Sequence, residues 1–216
     1  MGVSDDKQHS DRIVWIDCEM TGLDLVHDDL IEVAALVTDF NLTQLGDGVD
    51  VVIKPSQAGL DHMDDFVRNM HTKSGLLDEL DSGMTMADAQ DAVLSYVREH
   101  APDAGRWPLG GNTVATDRGF LARDMPLLEA HLHYRIVDVS SVKELARRWF
   151  PRAYFNAPAK NGGHRALADI RESIAELRYY REAVFVAPPG PDSAQARKIA
   201  ARYEGAATAV NPTSGS

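Results

Sequence analysis

The chain has 216 residues, enough for one sizeable core and short for two. Its hydrophobic fraction of 44% and charged fraction of 25% are those of an ordinary globular protein, and no apolar run approaches bilayer-spanning length. A net charge of −11, from 22 basic and 33 acidic residues, argues against a protein that grips long nucleic acid, because phosphate neutralisation needs excess Lys and Arg.

The N-terminal stretch is polar and has no apolar signal core, so residues 1–10 read as a flexible lead-in. Cys18 is the single cysteine, which excludes an intramolecular disulfide and fits a reducing compartment. The expected location is the cytoplasm, with no membrane partner. Residues 12–19, 30–40 and 50–54 are apolar, β-rich runs with short, turn-rich connections, the pattern of an antiparallel meander. After Pro55 the pattern turns helical, first in LDHMDDFVRNMH and then in SGLLDEL. Met63 and Met70 read there as packing residues. Thr85 can cap the next helix, with Asp88 at the capping-box position and Val93, Leu94 and Val97 as its apolar stripe.

WPLGGN near residue 110 reads as a short buried strand. TDRGFLARDMPLLEAHL reads as one or two helices, YRIVDV as a strand, SSVKELARRW as a helix and YFNAPAKNGG as a loop. The longest helix runs from about His164 to Phe185, with Leu167, Ile170, Ile174 and Leu177 at helical spacing. Strands first in a meander and then alternating with helices predict an α/β fold: a mixed sheet flanked by helices. Residues 187–216 are Ala/Gly/Ser/Pro-rich and read as a mobile tail, with a short helix around 193–203.

Asp17-Cys18-Glu19 ends the first strand. Alternation puts Asp17 and Glu19 on one face, with α-carbons roughly 6.5–7 Å apart, and Cys18 on the other. The pair fits either a hydrated strand end or a divalent-cation site, since a cation relieves both repulsion and desolvation. Asp117, Asp138 and Asp169 stand at or near element ends, where each is a candidate ligand, a helix cap or a surface charge. Asp138 and Ser140 compete to cap the same helix. His164 precedes Asp169 by five residues, about 140° apart on a continuous helix. The preceding Asn161-Gly162-Gly163 suggests instead that His164 lies on the loop or at the helix start, free to turn towards Asp169. A histidine beside a candidate metal carboxylate is a plausible general base.

IVWIDCEMTGLD, GNTVATDRGFLARDMP, HYRIVDVSSVKELARRW and HRALADIRESIAELRYYRE resemble, in order, the motifs of the oligoribonuclease family. The resemblance covers about residues 11–186, the expected exonuclease domain, and not the tail. It implies a ribonuclease-H-like five-stranded sheet, with the meander followed by parallel strands. It implies that Asp17, Glu19, Asp117 and Asp169 bind two divalent cations, Mg²⁺ or Mn²⁺, and that His164 is the general base. It further implies a homodimer that cleaves 5′-phosphorylated diribonucleotides and very short single-stranded RNA from the 3′ end into 5′-mononucleotides, with no duplex DNA as partner.

By the same resemblance Leu23 wedges against the bases, Phe66 stacks on one and His71 contacts substrate. Thr113, Arg135 and Ser140 surround the terminal phosphate, and Tyr134 reaches the neighbouring subunit's site. Leu23 and Phe66 also fit a core role, and Arg135 a surface ion pair. His133 receives no role. Two other functions use the same residues: an exonuclease that trims longer RNA or proofreads DNA, and a non-catalytic nucleotide-binding module. The acidic surface disfavours the first, and the full set of carboxylates with His164 disfavours the second.

Overall fold

The computed structural model describes residues 11–159 and 163–204. β1 (Arg12–Met20), β2 (Leu30–Asp39) and β3 (Gln44–Val52) form an antiparallel meander. Next come α1 (Gln57–His62), α2 (Asp65–Ser74), α3 (Leu76–Glu79), a 3₁₀ turn (Leu80–Ser82) and α4 (Met86–His100). β4 (Pro108–Gly111) and β5 (His133–Asp138) are parallel strands joined through α5 (Ala115–Asp124) and α6 (Pro126–His131). α7 (Val139–Trp149), α8 (Pro151–Phe155), α9 (Ala166–Ala183) and α10 (Ser193–Ala200) follow. The strand order is β3-β2-β1-β4-β5, the mixed five-stranded sheet that the sequence predicts.

Alternation along β1 builds a core on each face of the sheet. Val14, Ile16, Cys18 and Met20 pack with Val93, Leu94 and Val97 of α4 and with Phe120 and Leu121 of α5. Ile13 and Trp15 pack on the other face with Ile170 and Ile174 of α9. β2, covered on both faces, is buried along its whole length. Gly110 is required where β4 lies beside β1: a Cβ there would come within 2.7 Å of Ile13 Cγ2 and 3.0 Å of the Trp15 ring. No helix among the described residues is long and apolar enough to cross a membrane.

Three boundaries differ from the sequence reading. β3 begins at Gln44 rather than at residue 50, because Gly46 and Gly48 adopt φ of 74° and 88° and the pairing with β2 shifts between Ala35 and Val37. The turn-rich composition of that stretch belongs to an irregular strand. The run LDHMDDFVRNMH is split because the Asp64 side chain accepts from the Val67 N–H and starts a new helix. Tyr154 and Phe155, read as loop, end a short helix that Pro151 opens at its first turn. α10 occupies the stretch where the tail is expected to be helical. The flexible lead-in at 1–10 and the last part of the tail lie outside the described residues.

Thr85 caps α4 as predicted: its hydroxyl oxygen accepts from the Asp88 N–H at 3.2 Å and its proton goes to the Asp88 carboxylate at 2.7 Å. Thr85→Ala should cost about 1 kcal/mol and lower the melting temperature by roughly 2–4 °C. An unchanged melting curve would show that the cap contributes nothing.

Candidate active site

Asp17 and Glu19 project from the end of β1 towards the α9 side of the sheet, the face that Ile13 and Trp15 occupy deeper in the core. Asp117 lies buried in the first turn of α5, where its Oδ1 accepts the Cys18 backbone N–H at 3.0 Å. Asp169 lies in the first turn of α9. Both helical carboxylates therefore meet the positive end of a helix dipole, which partly offsets the crowding of like charge. His164 precedes α9, as the geometry of a helix requires, and adopts φ of 46°. One ligand atom each from Glu19, His164 and Asp169 lies within 4.8 Å of the other two. Of the loop before His164, Asn161 and Gly162 lie outside the described residues.

The electrostatics show how tightly the acids are grouped. Burial, followed by the charges of Asp117, Glu19 and Asp169, pushes Asp17 from an ordinary 3.8 up to about 9. Burial, then Glu32, Asp169 and Asp117, pushes Glu19 up to about 8. Burial takes Asp117 to about 6, with the Cys18 N–H holding down the rise. Carboxylates that repel one another and are shut off from water need a cation to be charged together. Oxygen donors with one imidazole fit a hard divalent metal.

Arg165 and Glu32, which the sequence reading missed, pair beside the cluster. Arg165 Nε donates to Glu32 Oε1 at 2.7 Å, and its two terminal nitrogens hold both oxygens of Glu79 at 2.7 and 3.1 Å. Glu32 Oε2 accepts the Ala166 N–H at 3.1 Å. This fork fixes the chain just after the His164 bend, at the start of α9. The signal was present: Glu32 is the one charged residue inside LIEVAALV, and it pairs across the ladder with Glu19.

The remaining predicted residues fall into separate groups. Phe66 is 78% exposed on α2 and lines a cavity of about 360 Å³ with Met70, Lys73 and His164. Met70 thus lines this cavity as well as packing. Leu23 is 74% exposed on the loop after β1. Neither Leu23 nor Phe66 is a core residue. Thr113 and Ser140 are adjacent, with hydroxyl oxygens 3.1 Å apart. Arg135 lies on β5 with its guanidinium 5.5 Å over the Tyr134 ring, and no contact among the described residues joins it to that hydroxyl pair. Tyr134 is 72% exposed on the edge strand, separated from β1 by β4.

His71 departs from expectation. Its ring is fully buried, with Nε2 donating to the Met20 carbonyl at 2.9 Å and Nδ1 lying 4.0 Å from Glu19 Oε2. The fully buried ring backs Glu19 and offers substrate no exposed atom in this structure. Asp138 caps α7 by accepting from Ser140 N–H at 3.1 Å, and it also accepts from Thr113 N–H at 2.9 Å.

An exonuclease family model, that of the RNase T group, matches residues 14–177. An oligoribonuclease of Streptomyces griseus is 72% identical over 89% of this chain and 96% of its own. An oligoribonuclease of Cutibacterium acnes is 66% identical over 89% and 96%. The chain belongs to the oligoribonuclease family. It is a 3′→5′ exonuclease of the kind that uses divalent metal. Among solved structures it resembles an exonuclease I with a TM-score of 0.63 at 15% identity, over 81% of this chain and 41% of the other. An exonuclease I from Methylocaldum szegediense gives a TM-score of 0.60 at 20% identity, over 81% and 41%. The chain spans about two fifths of those exonucleases, and at such identity the likeness concerns the fold.

Two predictions follow from the charges. The folded carboxyls of this cluster bind protons more tightly than the unfolded chain, so their contribution to metal-free stability is fullest at low pH. It is lost as pH rises from about 4 towards about 9. Mg²⁺ should raise the melting temperature, and by more at about pH 8 than at about pH 6, because protons compete for the same oxygens. A shift that is absent or independent of pH would count against cation binding by this cluster. Arg165→Lys keeps the charge but cannot hold both carboxylates. It should cost about 1.5–3 kcal/mol of stability and lower kcat more than it raises KM; wild-type kcat would remove Arg165 from the positioning of His164.

Proposed function

We propose that this chain hydrolyses 5′-phosphorylated diribonucleotides and very short oligoribonucleotides from the 3′ end, releasing 5′-mononucleotides, as a homodimer. The observation that carries this reading is the cavity shared by Phe66 and His164 beside the buried carboxylates. Its 360 Å³ is at the small end for ligand sites, and it opens on a protein of net charge −11. Each further phosphate of a longer RNA would meet unneutralised negative charge.

Asp17, Glu19, Asp117 and Asp169 would hold two divalent cations, Mg²⁺ or Mn²⁺. When bound, these neutralise the charge that develops on the phosphodiester. His164, exposed at the cavity, takes a proton from the attacking water on a ring nitrogen. The oxygen attacks phosphorus in line with the departing 3′-oxygen. Phe66 and Leu23 present apolar surface to the bases, where stacking requires no particular base. His71 lies behind Glu19, its Nδ1 4.0 Å from the carboxylate. Thr113, Ser140 and Arg135 receive the 5′-phosphate.

Tyr134 cannot serve its own chain's carboxylates from the edge strand and is assigned to the neighbouring copy's site. Trp149, Phe155 and Phe185 join Tyr134 and Ile136 as exposed large apolar groups on α7, α8, β5 and the end of α9, a surface suited to a second copy of the chain.

The test is turnover of a 5′-phosphorylated diribonucleotide and of a twenty-nucleotide RNA, with and without Mn²⁺. Metal-dependent release of mononucleotides is expected, with efficiency falling steeply beyond a few residues. Asp17→Ala should remove nearly all of it while the chain stays folded. Equal efficiency on both RNAs would favour a longer-substrate exonuclease, and no hydrolysis of either would leave a binding module.

A further inference from the structure

Between Thr113 and Asp169 runs a continuous line of hydrogen bonds. Thr113 Oγ1 lies 3.1 Å from Ser140 Oγ. Ser140 Oγ donates to Asn112 Oδ1 at 3.0 Å. Asn112 Nδ2 donates to Ser173 Oγ at 2.6 Å and to Glu176 Oε2 at 3.4 Å. Ser173 Oγ donates to the Asp169 carbonyl at 2.8 Å. Lys143 Nζ holds the other Glu176 oxygen at 3.1 Å.

The direction of every proton in this line is determined. A backbone carbonyl only accepts, so Ser173 gives its proton to Asp169 and can only accept from Asn112. An ionised Glu176 also only accepts. The Asn112 amide therefore turns its NH₂ towards α9 on two independent counts, and its oxygen faces Ser140. That oxygen takes the Ser140 proton. Ser140 then has only lone pairs for Thr113, so the proton between those two belongs to Thr113. At the exposed end, the Thr113 hydroxyl can turn its proton to a phosphate oxygen at the cost of its bond to Ser140 alone; the bonds from Ser140 to Asp169 stay in place, and Thr113 remains tied to the line through its peptide bond to Asn112.

We infer that Asn112 is a positioning residue that holds the Thr113–Ser140 pair in register with the first turn of α9, so that a 5′-phosphate bound at the pair helps to seat Asp169. The inference rests on the reading of Thr113 and Ser140 as the 5′-phosphate contacts. Its consequence is kinetic. Binding energy from a remote, non-reacting phosphate is expressed in kcat only if that end of the site is mechanically tied to the reacting end. Asn112 is that tie. Without it, a 5′-phosphate contributes to KM alone.

The experiment measures kcat and KM separately for a diribonucleotide with and without its 5′-phosphate. It uses the full chain and two variants: Asn112→Ala, which removes the amide with all its bonds, and Ser173→Ala, which removes the shorter of the amide's two bonds to α9. The wild-type kcat should be about ten- to a hundredfold higher with the phosphate. In both variants that kcat ratio should collapse towards one. A merely structural defect would lower kcat on both substrates alike and leave the ratio in place. Ser173→Ala removes one hydroxyl from the second turn of α9 and guards against loss of the fold in Asn112→Ala.

A wild-type ratio retained in either folded variant overturns the inference. So does a wild-type enzyme in which the phosphate alters KM but not kcat, an outcome that leaves the proposed function standing. A wild-type enzyme indifferent to the phosphate in both constants overturns the phosphate pocket itself, and the inference with it.

Discussion

Repulsion among buried carboxylates is the constraint on which this structure turns. Asp17, Glu19, Asp117, Asp169 and Glu32 crowd the end of a strand whose middle, Ile13 to Ile16, is apolar. Two different solutions appear side by side. Glu32 is neutralised within the chain by Arg165, which also anchors α9. Asp17, Glu19 and Asp117 instead show a raised affinity for protons, which expresses the same demand that a metal would meet. The sheet accepts this frustration because β2 and the two helical layers bury enough apolar surface to hold β1 in place.

The sequence made the frame legible because its signals are local. Alternation in RIVWIDCE placed Asp17 and Glu19 opposite Cys18, and the helical spacing of Ile170 and Ile174 identified the face that α9 buries. The position of His164 before the helix followed from an angle that a continuous helix could not satisfy. What escaped the sequence was set by partners far along the chain. Gly46 and Gly48 look like a turn, but they fall at the irregularity of a strand whose Gln44, Leu45 and Val49 pair with β2. His71 looks like a surface ligand until Met20 and Glu19 close over it. Glu32 and Arg165, 133 residues apart, have no local pattern that joins them.

Asp138 shows the same limit within a few residues. Either it or Ser140 could cap α7 from composition alone. The structure gives the cap to Asp138 and leaves the Ser140 hydroxyl for Asn112. The Asp138 carboxylate also fixes Thr113, whose φ of 55° is unusual for a β-branched residue. A single half-buried carboxylate thus holds the backbone N–H groups of both Thr113 and Ser140.

Placing His164 two residues before the helix that carries Asp169 has a mechanical consequence. His164 and Asp169 hang from one short piece of chain at the first turn of α9, which the Arg165 fork and the Glu32 carboxylate hold down. Fraying of that turn would displace both residues together. Local opening of this turn would act as a main switch for the whole centre. Amide hydrogen exchange at residues 166–170 would then report the fraction of molecules fit to cut.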